Sequence, residues 1–330
     1  KEKRAIKIIR PKYFRPFFIY FTSMELTELI EAYHRFTAEN KYETNYPGLF
    51  EPIEYLLGLK SKKVRPLLAL IGYNLYNEDI ANCLHTAHGL EIFHNFTLMH
   101  DDIMDEASIR RGQRTVHEKF GLNNAILSGD AMAILAYQYI LKDSKPKNAI
   151  EVLTLFSKTA MEICIGQQMD MEFEQKEIIS SEAYIEMIRL KTAVFLGMAL
   201  QIGAMIAGAD LESTKPLYRY GENLGIAFQI QDDLLDLKGD SFTVGKVKGG
   251  DILRKKKTIL ICKALEIASD QDSRSILDLL DNDTINAEEK VTTMTALLES
   301  LSVFTIVEQE INSYFNLAYK QLDMLSIKPH

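Results

Sequence analysis

Proline, glycine and cysteine are all scarce in this chain. Its 330 residues include 8 Pro, 17 Gly and 3 Cys, so little interrupts the long stretches of Leu, Ile, Ala, Met, Glu and Lys, and most of it is expected to be helical. No alternating apolar and polar pattern persists long enough to predict a sheet. Cys83, Cys164 and Cys262 lie far apart without a CxxC pair. That argues against a disulfide framework or a cysteine zinc site and for a reducing compartment, the cytoplasm by default. No run of eighteen apolar residues occurs, so no membrane span is expected. Phosphate loops of the GxGxxG or GxxxxGK[ST] kind are missing as well, which speaks against a dinucleotide fold or a P-loop ATPase. There is no excess of basic charge: the net charge is −8 and the pI near 5.5, so no nucleic-acid partner is expected. A polyanionic substrate would have to be captured by local basic clusters or by metals.

With 47% hydrophobic residues the chain can bury a large core. Helices are expected over roughly 24–40, 49–58, 63–76, 79–105, 123–141, 147–174, 181–207, 211–236 and 251–268, with more beyond. Breaks fall at YPG (46–48), DSKPK (143–147), the GAD after Ala207 and the glycine-rich GDSFTVGKVKGGD (239–251). Residues 1–23 run from basic residues into an aromatic group, Tyr13, Phe14, Phe17, Phe18, Tyr20 and Phe21, interrupted by Pro11 and Pro16. They lack the long apolar core and cleavage site of a secretory signal and are set apart as an uninformative extension. The segment IEMIRLKTAVFLGMALQIGAMIAGA is apolar nearly all round, which implies a helix enclosed by other helices. Residues 24–330 are therefore expected to form a single all-α domain, one large helical bundle.

Two acidic clusters stand out. Asp101, Asp102 and Asp105 (DDIMD) close one apolar helix, and Asp232, Asp233 and Asp236 (DDLLD) close another roughly 130 residues on. Positions four apart share a helix face, so Asp101 with Asp105, and Asp232 with Asp236, can reach one ion. Three adjacent carboxylates repel unless a cation lies between them. One such cluster reads as an ordinary solvated helix end; two, each behind an apolar flank, do not. All-oxygen sites suit Mg²⁺ or Mn²⁺, and magnesium shares itself with substrate phosphates. The pattern predicts two carboxylate walls gripping a diphosphate through bridging ions. Basic residues accompany them: Arg110 and Arg111 in RRGQRT, Lys62, Lys63 and Arg65 in KSKKVRP before a helix start, and Lys246, Lys248 and Arg254 to Lys257 after the second cluster.

Together these motifs make the chain similar to the trans-polyprenyl diphosphate synthases of the farnesyl and geranylgeranyl diphosphate synthase type. The likeness runs from about residue 46 to residue 268. DDIMD with RRG resembles that family's first aspartate-rich region, and FQIQDDLLD with the GK and GGDI segments its second. KSKKVRP resembles its GGKRxRP, with Lys60 and Ser61 in place of two glycines and Lys63 in place of an arginine. The resemblance implies an isoprenoid-synthase fold with a central active-site cavity, and a homodimer. It implies Mg²⁺-dependent 1'-4 condensation of isopentenyl diphosphate with an allylic diphosphate (dimethylallyl, geranyl or farnesyl). By the same resemblance Lys62, Arg65, His94 and Arg111 hold isopentenyl diphosphate, Arg110, Lys246 and Lys256 the allylic diphosphate, and Asp101, Asp105, Asp232 and Asp236 the metals. Lys191, Thr192 and Gln229 line the path of the allylic cation, and the released diphosphate takes the proton. His85, His88 and His100 receive no such role and read as core or surface histidines.

Product length would follow from the depth of the cavity below the first cluster. Phe96 and Phe93 precede Asp101 by five and eight residues, and one to two helical turns span about 6 to 12 Å, or one to two isoprene units. Phe96 is the expected floor, with Phe93 as the alternative, and in the resembled family an aromatic there accompanies products of fifteen or twenty carbons. Two other readings stay open: a class I terpene cyclase, which needs no isopentenyl diphosphate site, and a non-catalytic partner subunit, which would tend to lose aspartates or basic ligands.

Overall fold

The computed structural model of the chain describes residues 24–42, 45–239 and 249–325; residues 1–23 and the two lysines Lys246 and Lys248 lie outside the described residues. The fold is all-α. In chain order the helices are α1 (Leu26–Glu39), α2 (Pro47–Gly58), α3 (Val64–Asn74), α4 (Leu84–Met104), α5 (Val116–Phe120), α6 (Leu122–Asp143), α7 (Ala149–Glu174), α8 (Ser181–Ile188), α9 (Val194–Ala207), α10 (Leu211–Lys238), α11 (Gly250–Leu253), α12 (Ile259–Ile267), α13 (Asp270–Asp281), α14 (Ala287–Ser300) and α15 (Val303–Leu322). Among the described residues the only sheet is a two-stranded hairpin, β1 (Ile109–Arg110) with β2 (Gln113–Arg114).

The chain forms two compact units. The first comprises the described residues up to Ser157 with Met198–Tyr218 and Leu325; the second comprises Lys158–Gly197 and Arg219–Met324. In the first unit α4 and α6 pack most extensively, burying Leu90, Ile92, Phe93 and Met99 with Ala125, Met132, Ala136 and Ile140. Each large apolar side chain so enclosed contributes about 1.5–3 kcal/mol. Gly203 makes a close helix crossing possible there, because a Cβ on it would stand 1.9 Å from the Ala69 carbonyl oxygen of α3. The start of α4 is capped across the unit: Asp143, at the end of α6, accepts the Thr86 amide at 2.7 Å and bonds His85 Nδ1 at 3.0 Å. In the second unit, side-chain caps mark the helix starts the sequence signals. Ser180, Ser269 and Asn286 accept the amides of Ala183, Asp272 and Glu289.

Three expected boundaries are corrected. The helix placed at 79–105 starts as a 3₁₀ turn, Ile80–Cys83, capped by Asp79, and becomes α-helical at Leu84. The helix placed at 181–207 contains a π-helical turn, Arg189–Ala193, closed by the Val194 amide on the Arg189 carbonyl. The helix placed at 251–268 is two helices, with Arg254–Thr258 between them and Lys255 at φ 58°. Four successive cations repel one another on a helix, and here Arg254, Lys255 and Lys257 diverge to separate partners. The stretch Ser181–Ala207 is long and apolar enough to cross a membrane by composition, but 83% of its apolar window is buried in the protein. It is the helix apolar nearly all round in sequence.

Candidate active site

In the first unit α4 ends in the first aspartate cluster. Asp101 is half-buried, Asp102 is 1% exposed and Asp105 is exposed as the C-cap. The hairpin after it turns through Arg111 and Gly112, with φ of 54° and 77°, the two positive values a tight two-residue turn demands. That turn sends Arg110 back onto the cluster, where its Nε donates to Asp102 Oδ2 at 2.7 Å and its Nη2 to Asp101 Oδ2 at 3.4 Å. Burial pushes the Asp102 carboxyl upward and the hydrogen bond and charge of Arg110 oppose it. Asp102 Oδ1 is buried without a hydrogen-bond partner.

A second group of cations gathers in the same unit. Arg65, in the first turn of α3, donates through Nη1 to His94 Nε2 on α4 at 3.0 Å. Burial, then the charge of Arg65, holds His94 well below its ordinary pKa, so the ring is neutral and accepts. Burial lowers Arg65 to about 10, against the charge of Glu91. Arg111 is lowered by burial and by Arg110, again against Glu91. Three residues assigned to one diphosphate, Arg65, His94 and Arg111, thus share one electrostatic neighbourhood. Lys62, the fourth, is exposed beside them in sequence, whereas Lys63 bonds Glu91 at 2.9 Å.

The second unit encloses a cavity of about 450 Å³ lined by Lys191, Thr192, Gln229, Asp233, Asp251 and Lys256, with Phe173, Ile179, Met187 and Ile188 as apolar wall. Lys191 and Thr192 belong to the π-helical turn, a feature frequent at functional sites. Gly166 admits that turn: a Cβ on it would lie 2.3 Å from the Lys191 nitrogen. One turn along, Asp170 Oδ2 takes Lys191 Nζ at 2.6 Å. The second cluster repeats the first: Asp232 is exposed, Asp233 is buried, and Asp233 accepts Tyr184 Oη–H at 2.6 Å and Gln229 Nε2–H at 3.4 Å. Burial pushes Asp233 up to about 7, with the Asp251 charge adding and the Tyr184 hydrogen bond opposing. Asp236 is buried too, and its Oδ2 accepts the Asp251 amide at 3.1 Å.

The basic run sorts itself by partner. Arg254 pairs with Asp251, Lys255 with Asp283 and the Asp281 carbonyl, and Lys257 with the carbonyls of Phe173 and Glu174. Among the described residues the Lys256 ammonium alone of the four has no partner, and it faces the cavity. Asp170, Tyr184 and Asp251 were not singled out in the sequence; a lone Asp or Tyr on a helix carries no pattern, and only the fold brings them to the cavity. His85, His88 and His100 are held in structural contacts with Asp143, with Tyr33 and Tyr42, and with the Ile126 carbonyl.

Among the described residues no three His, Cys, Asp or Glu side chains form a ready metal cage. The donor set nevertheless fits a hard divalent cation, since it is all carboxylate and Asp102 keeps a buried oxygen without a partner. Magnesium needs few protein ligands where substrate phosphates supply the rest.

An all-helical chain with two aspartate clusters, each with its own basic companions, is built as isoprenoid synthases are. Residues 47–298 match the polyprenyl synthetase family model. Over 220 residues the chain is 41% identical to the geranylgeranyl pyrophosphate synthase of Geoglobus acetivorans, covering 66% of this chain and 69% of that protein. It is 40% identical over 241 residues to the short chain isoprenyl diphosphate synthase of Methanocaldococcus jannaschii, covering 73% of each. A crystal structure of a geranylgeranyl pyrophosphate synthase superimposes with a TM-score of 0.87 at 39% identity, covering 93% of this chain and 94% of that one. The chain belongs to the polyprenyl synthetase family, and it is a prenyltransferase of the short-chain prenyl diphosphate synthase kind.

Proposed function

We propose that this enzyme joins isopentenyl diphosphate to an allylic diphosphate by Mg²⁺-dependent 1'-4 condensation, releasing diphosphate and giving a C15 to C20 product. Similarity to geranylgeranyl synthases favours the C20 end. The observation that carries the reading is the grouping of Arg65, His94 and Arg111 as a second set of cation-bearing residues beside the Arg110–aspartate pair. A cyclase acting on one diphosphate has no use for a second cationic group. Mg²⁺ at Asp101, Asp105, Asp232 and Asp236 would supply Lewis-acid neutralisation of the leaving diphosphate.

The residues of the chain do the rest. Lys256 and Arg110 offer direct charge-assisted contacts to the allylic diphosphate, and Lys62, Arg65, His94 and Arg111 take the isopentenyl diphosphate. The apolar wall of the cavity excludes water from the allylic cation, while Thr192 and Gln229 and the Lys191 carbonyl present oxygen dipoles to it. No side chain has to act as the base if the departing diphosphate removes the proton. Incubation of the purified protein with isopentenyl diphosphate, Mg²⁺ and each of dimethylallyl, geranyl and farnesyl diphosphate, followed by chromatography, tests this. Chain extension is expected; no condensation with any primer overturns it.

A homodimer and a cytoplasmic site of action complete the proposal. Leu127, Ile134 and Leu141 recur every seven residues along α6 and are 59%, 61% and 44% exposed, a stripe suited to a second copy. The three free cysteines suit a reducing compartment.

A further inference from the structure

Glu91 is a buried carboxylate that none of the roles above uses. It lies on α4, 1% exposed, one turn before His94. Its Oε1 accepts Lys63 Nζ at 2.9 Å and Asn95 Nδ2 at 3.0 Å. Lys63 is the N-cap of α3 and adopts φ 47°, ψ 41°, a left-handed conformation that an L-residue enters at a cost. The same ammonium donates to the Leu57 carbonyl in the last turn of α2 at 3.1 Å. One lysine therefore ties the end of α2, the start of α3 and the middle of α4. Two residues further on, Arg65 meets His94 across the same pair of helices at 3.0 Å. The charge of Glu91 acts on both Arg65 and Arg111, so a buried negative group is set among these cations.

We propose that Glu91 is the positioning residue of the isopentenyl diphosphate subsite, an inference that rests on the synthase reading above. It turns Lys63 inward, and the left-handed turn this fixes presents Lys62 and Arg65 at the spacing the diphosphate requires. Two adjacent lysines thereby do different work: Lys63 is internal and structural, and Lys62 is left exposed for the anion. The Glu91 charge also offsets the repulsion between Arg65 and Arg111 before the substrate arrives. A carboxylate here would oppose an anionic substrate if it faced it; buried against Lys63, it orders the cations instead.

The test is steady-state kinetics of the full chain with isopentenyl and geranyl diphosphates. Glu91→Gln is expected to raise KM for isopentenyl diphosphate about tenfold, the size typical of losing a residue that orients a ligand-binding group. KM for geranyl diphosphate and kcat should stay within about twofold. Glu91→Asp should recover part of the loss. Lys63→Met should reproduce the defect, and the double variant should be no worse than the poorer single one, because both remove the same interaction. An unchanged KM for isopentenyl diphosphate in Glu91→Gln overturns the inference, as does an equal loss for both substrates with a lowered Tm. If Glu91→Gln does not fold, Lys63→Met decides: a selective rise in the isopentenyl KM supports the inference and its absence refutes it. Failure of the wild-type chain to condense the two substrates would instead overturn the synthase reading itself.

Discussion

Behind Asp101 the aromatic rings stand in a row: Phe96 to Phe93 at 5.3 Å, Phe93 to Phe156 at 4.9 Å and Phe156 to Tyr137 at 4.7 Å between centroids. Phe93 is 3% exposed and wedged between two rings, whereas Phe96 is half-buried against His100. The two residues therefore differ in what they can lose. Phe96→Ala is expected to lengthen the product by about one isoprene unit, one to two helical turns being the depth at stake; an unchanged product distribution by chromatography sinks this. Phe93→Ala would cost about 3–5 kcal/mol in stability, as buried aromatics do. A second expectation concerns His88, whose ring nitrogens meet Tyr33 and Tyr42 hydroxyls at 3.2 and 3.3 Å. Burial, chiefly, lowers its pKa to about 3. Between that value and about 6.5 the unfolded chain binds a proton the folded chain refuses, so stability falls as pH falls, by about 1.4 kcal/mol per pH unit. Denaturant midpoints at pH 6.5 and 4.5 should separate in the wild type and draw together in His88→Gln, and an equal separation in both would count against it.

Among the elements, the π-helical turn at Arg189–Ala193 is where sequence pattern and structure part. RLKTA is compatible with an ordinary α-helix, and the extra residue in the turn is imposed by packing, with Gly166 against the Lys191 backbone. Gly166→Ala should destabilise the protein by about 1–3 kcal/mol through overpacking. It should also lower kcat by displacing Lys191 and Thr192. Thermal unfolding together with kinetics checks both, and retention of wild-type values in each would refute it. The long helices were legible because apolar spacing and Pro or Gly breaks mark them directly, and α6 and α7 fall within two residues of expectation. The break at Arg254–Thr258 was not, because nothing in a string of cations says that Arg254, Lys255 and Lys257 will each find a different acceptor. The aspartate clusters could be read from their spacing; that Asp102 and Asp233 turn inward to Arg110 and Tyr184 while Asp101 and Asp232 stay nearer solvent depends on tertiary partners.

At the scale of the whole molecule, the helix contacts of the core are made by apolar side chains, and the carboxylates of the clusters lie in the last turns of α4 and α10. Chelation with EDTA is therefore expected to abolish condensation and leave Tm within about 2 °C, with Mg²⁺ restoring activity; a large fall in Tm would show that the ion supports folding as well. Family and chemistry were readable from motifs that span most of the chain. The roles of individual lysines were not, since composition gives their charge and only the fold gives their partners. Lys63, Arg111 and Lys255 share one further trait: each is an L-residue held at positive φ, beside Glu106 and Ser302 in the same state. Glycine at any of them would relax the backbone by about 1 kcal/mol, yet it would delete the Lys63–Glu91 tether, the Arg111 cation proposed for isopentenyl diphosphate or the Lys255–Asp283 pair. On the proposed reading, selection for a tougher protein and selection for diphosphate capture thus pull against each other at Lys63 and Arg111. These are the sites where stabilising replacements would be weeded out by loss of activity.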